Sequence, residues 1–163
     1  FYVRRDRIEW LKPSWIGSHS QKDFDNEGGL TLLDEAKRFE FGTRNLADQV
    51  GFGYALDCWQ EIGWSNVFAY IQEYTDRTKA ALQGVPGLVL HTPLSYEKSS
   101  GIVTFSIPGH TAAEIQERLL EEKVLVSPLE KDGALIRVST HVFNDEGDLA
   151  RLVAGIESVV RSR

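Results

Sequence analysis

Methionine is absent from all 163 residues, position 1 included, and cysteine occurs once, at Cys58. A single cysteine excludes an intrachain disulfide, and a reducing cytoplasm fits that usage best. No apolar run approaches the ~20 residues of a membrane span, and the first residues carry no signal-peptide pattern. Positive charge is scarce: 18 Lys and Arg against 24 Asp and Glu leave a net charge of −6. That balance argues against nucleic acid, whose recognition normally needs a basic face. Arg4, Arg5 and Arg7 form one basic cluster, but Asp6 and Glu9 dilute it into a solvated turn. The four histidines (His19, His91, His110 and His141) lack metal-ligand spacing, so no metal is expected. No serine sits in a nucleophile elbow. The chain opens on "FYVRR", which reads as the middle of a buried strand, so a fragment with its upstream part missing is expected.

What is present suits one compact domain or the main part of a larger one, with 42% apolar residues. Phe1 to Val3 read as a strand end, followed by a helical turn around Asp6 to Leu11. Residues 12 to 36 read as a long irregular segment, of the kind that is functional or lies in an interface. From Asn45 the periodicity is helical, with Phe52, Ala55, Leu56 and Trp59 on one expected buried face. Asn45 is a good N-cap, and Asp48 complements the helix dipole. A second helix is expected from Ser65, with Val67, Phe68, Ile71 and Tyr74 inward, stopping near Gly84 to Gly87.

Beyond that stop the pattern is more regular. Leu88 to His91 can be a strand, and Val103, Phe105 and Ile107 alternate with Thr104 and Ser106, so that strand buries one face. "TAAE", Thr111 to Glu114, is a capping box for a helix carrying Ile115 and Leu119. Strands are expected at Val124 to Val126 and Ala134 to Val138. A last helix follows Asn144 and buries Leu149, Leu152, Val153 and Ile156. The order β-β-α-β-β-α predicts an α+β unit with helices on one face of a small sheet. The expected division is residues 1–84 as the end of a larger body and 85–163 as a small C-terminal domain.

Two constellations carry chemistry. In "RFEFGTRN" a helix start follows Gly42, Thr43 and Arg44. Free N–H groups and a partial positive charge there favour an anion, with phosphate the natural guest. An ordinary helix entry with a turn glycine explains the same residues. In "ALIRVST" the apolar Ala134, Ile136 and Val138 share one face, so Leu135, Arg137 and Ser139 share the other. Facing a cleft, the Arg137 guanidinium suits bidentate capture of a carboxylate; facing solvent, it is an ordinary exposed arginine. Three imitations are set aside. "DFDNEGGLTLLD" resembles a calcium loop but has Asp34 where the bidentate glutamate belongs. "GFGYAL" has Leu56 where a dinucleotide fingerprint needs glycine. Cys58 reads as a small buried hydrophobe.

The succession "FYVRRDRIEWLKP", "RFEFGTRN" and "LIRVSTHVFNDEGDLARLVAGI" resembles the class V aminotransferases. These are pyridoxal-phosphate enzymes of fold type I, which include cysteine desulfurases and isopenicillin N epimerase-like proteins. The resemblance spans essentially the whole chain. It implies an α/β fold type I fragment: the end of the large cofactor domain with an interface segment, then a ββαββα small domain. It also implies a homodimer, in which Gly42 and Thr43 reach the phosphate of the pyridoxal 5′-phosphate held mainly by the other subunit. Arg137 matches the arginine that holds the carboxylate of an amino-acid substrate. Arg44 stands where many relatives have proline. The lysine that carries the cofactor in such enzymes lies upstream of "FYVRR", so this stretch alone is expected not to catalyse. Desulfurases carry a catalytic cysteine on a loop before the Arg-x-Ser strand, and "VLVSPLEKDGALIRVS" has no cysteine and almost no loop. An epimerase-, lyase- or transaminase-like enzyme acting on an amino acid or amine is therefore expected rather than a desulfurase. The alternative is a non-catalytic small-ligand-binding or interaction module, which would have no need of the "GTRN" helix start.

Overall fold

The computed structural model describes residues 1–129 and 134–162. The short loop expected before the Arg-x-Ser strand includes Glu130 to Gly133, outside the described residues. The chain forms two compact units, Phe1–Leu56 and Asp57–Arg163; the boundary expected near Gly84 falls within the second.

In the second unit the alternating β4 (Ile102–Ser106) pairs antiparallel with β6 (Leu135–Ser139) in the centre of a four-stranded sheet. The edges are β3 (Val89–Leu90) and β5 (Ser127–Leu129), giving the order β3-β4-β6-β5. Period-two alternation sends Val103, Phe105 and Ile136 to one face, where each is fully buried. Helices α3 (Ala112–Glu121) and α4 (Glu146–Arg161) bring Ile115, Leu119, Leu152, Ile156 and Val159 onto the same cluster. Each such side chain contributes about 1.5–3 kcal/mol through burial. The helices approach closely because position 155 is glycine: a Cβ there would lie 2.7 Å from Leu119 Cδ2. Along this half the order of elements is the expected β-β-α-β-β-α.

Both helices begin with reciprocal capping boxes. Thr111 Oγ1 accepts from Glu114 N at 3.3 Å while Glu114 Oε2 accepts from Thr111 N at 2.7 Å. Hydrogen bonds to it from the Thr111 N–H first, and from the Thr111 side chain second, hold the Glu114 carboxyl below its ordinary range. Asp145 and Asp148 repeat the arrangement at α4. At the other end of α3, Lys123 takes φ 61° and its N–H reaches Leu120 O at 2.9 Å, while Val124 N–H reaches Leu119 O at 2.8 Å. This is a Schellman closure with lysine in the left-handed position usually given to glycine. It occupies residues 122–124, so the strand expected at Val124 to Val126 begins instead at Ser127.

Helix α2 (Trp64–Gln83) buries Val67 and Tyr74 as expected, but Phe68 is 61% exposed. Its inward face is unexpectedly polar, with Thr75, Thr78 and Lys79 all buried. Lys79 Nζ donates to Asp76 Oδ1 at 3.1 Å, Leu94 O at 3.0 Å and Ser99 Oγ at 2.9 Å. All three ammonium protons are thus matched, which makes the burial tolerable.

In the first unit, Arg5–Trp10 is a 3-10 helix anchored by buried Ile8. Phe1 to Val3 form no strand; Phe1 instead lies edge-on to Phe39 at 5.3 Å. The segment expected to be irregular contains a hairpin, β1 (Gln21–Phe24) with β2 (Leu30–Leu32). Its turn is closed by Asp25 Oδ1, which accepts from Glu27 N and Gly29 N, while Gly28 supplies φ 97°. The pseudo-calcium loop is therefore a hairpin turn.

Helix α1 (Leu46–Ile62) contradicts the expected buried face: none of its residues is buried, and Phe52 is 66% exposed. Val50, Tyr54, Leu46 and Ile62 are exposed too, so apolar residues encircle the helix. A helix of that kind is normally buried on several sides. Cys58, expected inside, is exposed on the same helix.

Candidate functional site

The chain segment before α1 is built as an open helix entry. Asn45 Oδ1 accepts from Asp48 N at 3.2 Å, confirming the cap. Asn45 Nδ2 donates to Asp48 Oδ2 at 2.6 Å, so the acid is held across the first turn. Gly42 does not use the left-handed region, and a Cβ built on it would meet nothing within 4 Å. Its side of the backbone is therefore open to an approaching group. Thr43 is exposed, and its hydroxyl makes no hydrogen bond among the described residues. Arg44 is engaged within the chain: Nη1 lies 2.9 Å from Glu40 Oε2. Among the described residues Glu40 Oε2 has no partner in hydrogen-bond geometry, so the contact is an ion pair by distance alone. With both side chains partly exposed it contributes no more than about 1 kcal/mol. A phosphate oxygen could displace it at small cost.

Arg137 is placed by the central strand β6. Register puts Thr104 of β4 on one side of it and Ser127 of β5 on the other. Since Ile136 points into the core, Arg137 stands on the opposite face, the one that α3 and α4 do not cover. Its Nη2 donates to Ser127 Oγ at 3.1 Å, and its Nε is buried without a partner among the described residues. Arg38 Nε, Arg77 Nε and His110 Nε2 share that condition, so it does not by itself mark a site. Among the described residues Arg137 Nη1 is committed to no partner, and on the sheet face opposite α3 and α4 that donor can receive a carboxylate.

The strand behind Arg137 is fixed at its exit. Thr140 N donates to Gly101 O at 2.7 Å, and the hydroxyls of Thr75 and buried Thr140 lie 2.7 Å apart. Tyr70 and Tyr74 then donate their hydroxyls to Asn144 O and Asp145 O, at 2.7 and 2.8 Å. Burial first, and the nearby Asp148 and Glu146 carboxylates second, push the Tyr74 hydroxyl up to about 12. Asp148 is held below the ordinary carboxyl range, chiefly by the Asn144 side-chain amide and then by Asp145 N–H. A cavity of about 170 Å³ between Tyr74, Val138, Thr140, Asp148 and Leu152 does not include Arg137. His141 stacks on Phe143 with centroids 5.1 Å apart and meets the edge of Trp59. Among the described residues no three His, Cys, Asp or Glu side chains gather as metal ligands, and no helix is long and apolar enough to cross a membrane.

One expected site segment thus lies at a capped helix entry with Thr43 exposed, and the other holds Arg137 half-buried on a sheet face. The contact from Ser127 was not foreseen; alternation places residue 127 on a face, but only the β5–β6 register places it beside Arg137.

A family model described as aminotransferase class-V matches residues 1–152. Among characterised proteins, a cysteine desulfurase of Pectobacterium atrosepticum is 25% identical over 170 residues, covering 98% of this chain and 41% of that protein. One from Escherichia coli K12 is 26% identical over 171 residues, with the same coverage. The apo structure of a cysteine desulfurase from Thermococcus onnurineus superposes with a TM-score of 0.88 at 22% identity, over 99% of this chain and 42% of that one. The cystine C-S lyase C-DES, in complex with cysteine persulfide, gives 0.81 at 21% identity, over 96% and 41%. The chain therefore spans about two-fifths of the length of these relatives, and the last two show the fold.

Proposed function

Because the chain belongs to the aminotransferase class-V family, whose cofactor is pyridoxal phosphate, we propose that it forms the C-terminal part of an enzyme acting on an amino acid or amine. The observation that carries this reading is Arg137, held by Ser127 on the face of β6 opposite α3 and α4, with its Nη1 uncommitted among the described residues. In the reading, residues 1–84 complete a large cofactor domain and residues 85–163 are the small domain.

The donor set fits the cofactor. Gly42 leaves its backbone open, Thr43 has a free hydroxyl, and the capped α1 entry adds favourable dipole for a phosphate. When bound, the cofactor supplies an electron sink for bond breaking at the substrate's α-carbon. This chain's residues do the rest by positioning: Arg137 takes the carboxylate and so fixes which α-carbon bond faces the reacting centre. Helix α1, exposed and apolar all round, supports a homodimer in which Gly42 and Thr43 serve the other subunit's cofactor. The single cysteine supports a cytoplasmic setting.

The named relatives favour a second reading, cysteine desulfuration. Against it stands the absence of any cysteine between Val124 and Ser139, where desulfurases place their catalytic one. Lyase chemistry, after which the cystine C-S lyase that shares the fold is named, and epimerase- or transaminase-like chemistry are the readings we retain. The test is Arg137→Ala in the full-length protein. It should lower kcat/KM for amino acids by about 100-fold, the worth of a charge-assisted pair, while sparing amines without a carboxylate. Equal losses on both substrate classes would sink the proposal.

A further inference from the structure

We infer that Ser127 is the second half of the carboxylate site, holding the Arg137 guanidinium and donating its own hydroxyl proton to the same ligand. The inference rests on the carboxylate reading of Arg137 and adds a residue to it. Three observations carry it. The β5–β6 register sets Ser127 directly across from Arg137, on the sheet face opposite α3 and α4. Arg137 Nη2 donates to Ser127 Oγ at 3.1 Å, so the serine oxygen is the acceptor in that bond. A serine hydroxyl has one proton of its own, and among the described residues Ser127 donates it to none.

A half-buried hydroxyl whose oxygen already accepts from a cation is polarised toward donating. The ligand that satisfies it together with the remaining guanidinium donors is an anion with two oxygens a short distance apart. A carboxylate meets that description: one oxygen faces the guanidinium and the other faces the Ser127 hydroxyl. Thr104, the neighbour on the other side, shares the face and the cross-strand position but makes no bond to Arg137. It therefore serves as the internal control.

The experiment measures dissociation constants of glycine and of methylamine, the same molecule without its carboxylate, for the full-length holoprotein by calorimetry. Wild type should prefer glycine. Ser127→Ala should weaken glycine about tenfold, the loss of one hydrogen bond to a charged group, and leave methylamine unchanged. Ser127→Thr, which keeps the hydroxyl, should restore glycine binding to within about twofold, and Thr104→Val should leave it unchanged. Arg137→Ala should weaken glycine by about 100-fold. If Arg137→Ala behaves so and Ser127→Ala does nothing, or weakens both ligands alike, the Ser127 inference is overturned and the carboxylate reading survives. An effect of Thr104→Val as large as that of Ser127→Ala would overturn it too. If wild type fails to prefer glycine, or Arg137→Ala has no effect, both readings fall together.

Discussion

Replacing Lys79 by alanine removes a cation that is 1% exposed and holds the segment from Leu94 to Ser99 against α2. The magnitude follows from what is lost. Three buried methylenes go, at about 0.8 kcal/mol each. Asp76 is 45% exposed and can turn to water, and Ser99 Oγ keeps its bond to Ser95 O. Leu94 O is then the acceptor left unmatched, at about 1 kcal/mol. Relief of the lysine's own desolvation offsets part of this, leaving about 3 kcal/mol for Lys79→Ala. Lys79→Met keeps most of the stem and should cost about 1 kcal/mol. Urea unfolding of the full-length protein gives the totals, and hydrogen exchange across residues 94–101 locates them. Protection there should fall in both variants, more in the alanine. A loss below about 1 kcal/mol for Lys79→Ala, or unchanged exchange in that segment, would refute the view of Lys79 as a buried staple.

Other consequences are open to direct measurement. Lys123→Gly should stabilise by about 0.5–1 kcal/mol in urea unfolding, since glycine takes the left-handed C-cap without the cost a side chain bears. Gly155→Ala should destabilise by about 1–3 kcal/mol, because its Cβ would press on Leu119 Cδ2. Tyr74 is protonated more firmly folded, at about 12, than unfolded, at the ordinary 10.0. Its contribution is complete below pH 10 and is lost as pH rises from 10 to 12, so Tyr74→Phe should flatten that part of the stability–pH curve. Thr43→Ala should raise the dissociation constant for pyridoxal phosphate about tenfold in equilibrium dialysis, through loss of one hydrogen bond to a phosphate.

Legibility in the sequence differed from one element to the next for physical reasons. Strands β4 and β6 alternate strictly and one of their faces packs on helices of the same unit, so Val103, Phe105 and Ile136 were readable as core. The Thr111–Glu114 box was readable because both halves of its bond pattern lie within four residues. Helix α1 misled because periodicity reports that a face is apolar, not that this chain covers it. The hairpin at Asp25 to Gly29 was hidden by a turn closed through a side chain and by strands of only three or four residues. The Lys123 reversal carried no glycine to announce it, and Lys79 ran against the usual exposure of lysine. At the site, the face of Arg137 was legible from period two alone. Its bond to Ser127 was not, since pairing register is a long-range property.

The central claim, that this chain completes a pyridoxal-phosphate enzyme, is tested most directly by borohydride reduction of the full-length protein, followed by peptide mass spectrometry. The account predicts a yellow protein that bleaches on reduction and carries a pyridoxyl group on a lysine upstream of Phe1. A protein with no adduct, or with the adduct on a lysine of these 163 residues such as Lys79 or Lys123, would contradict it.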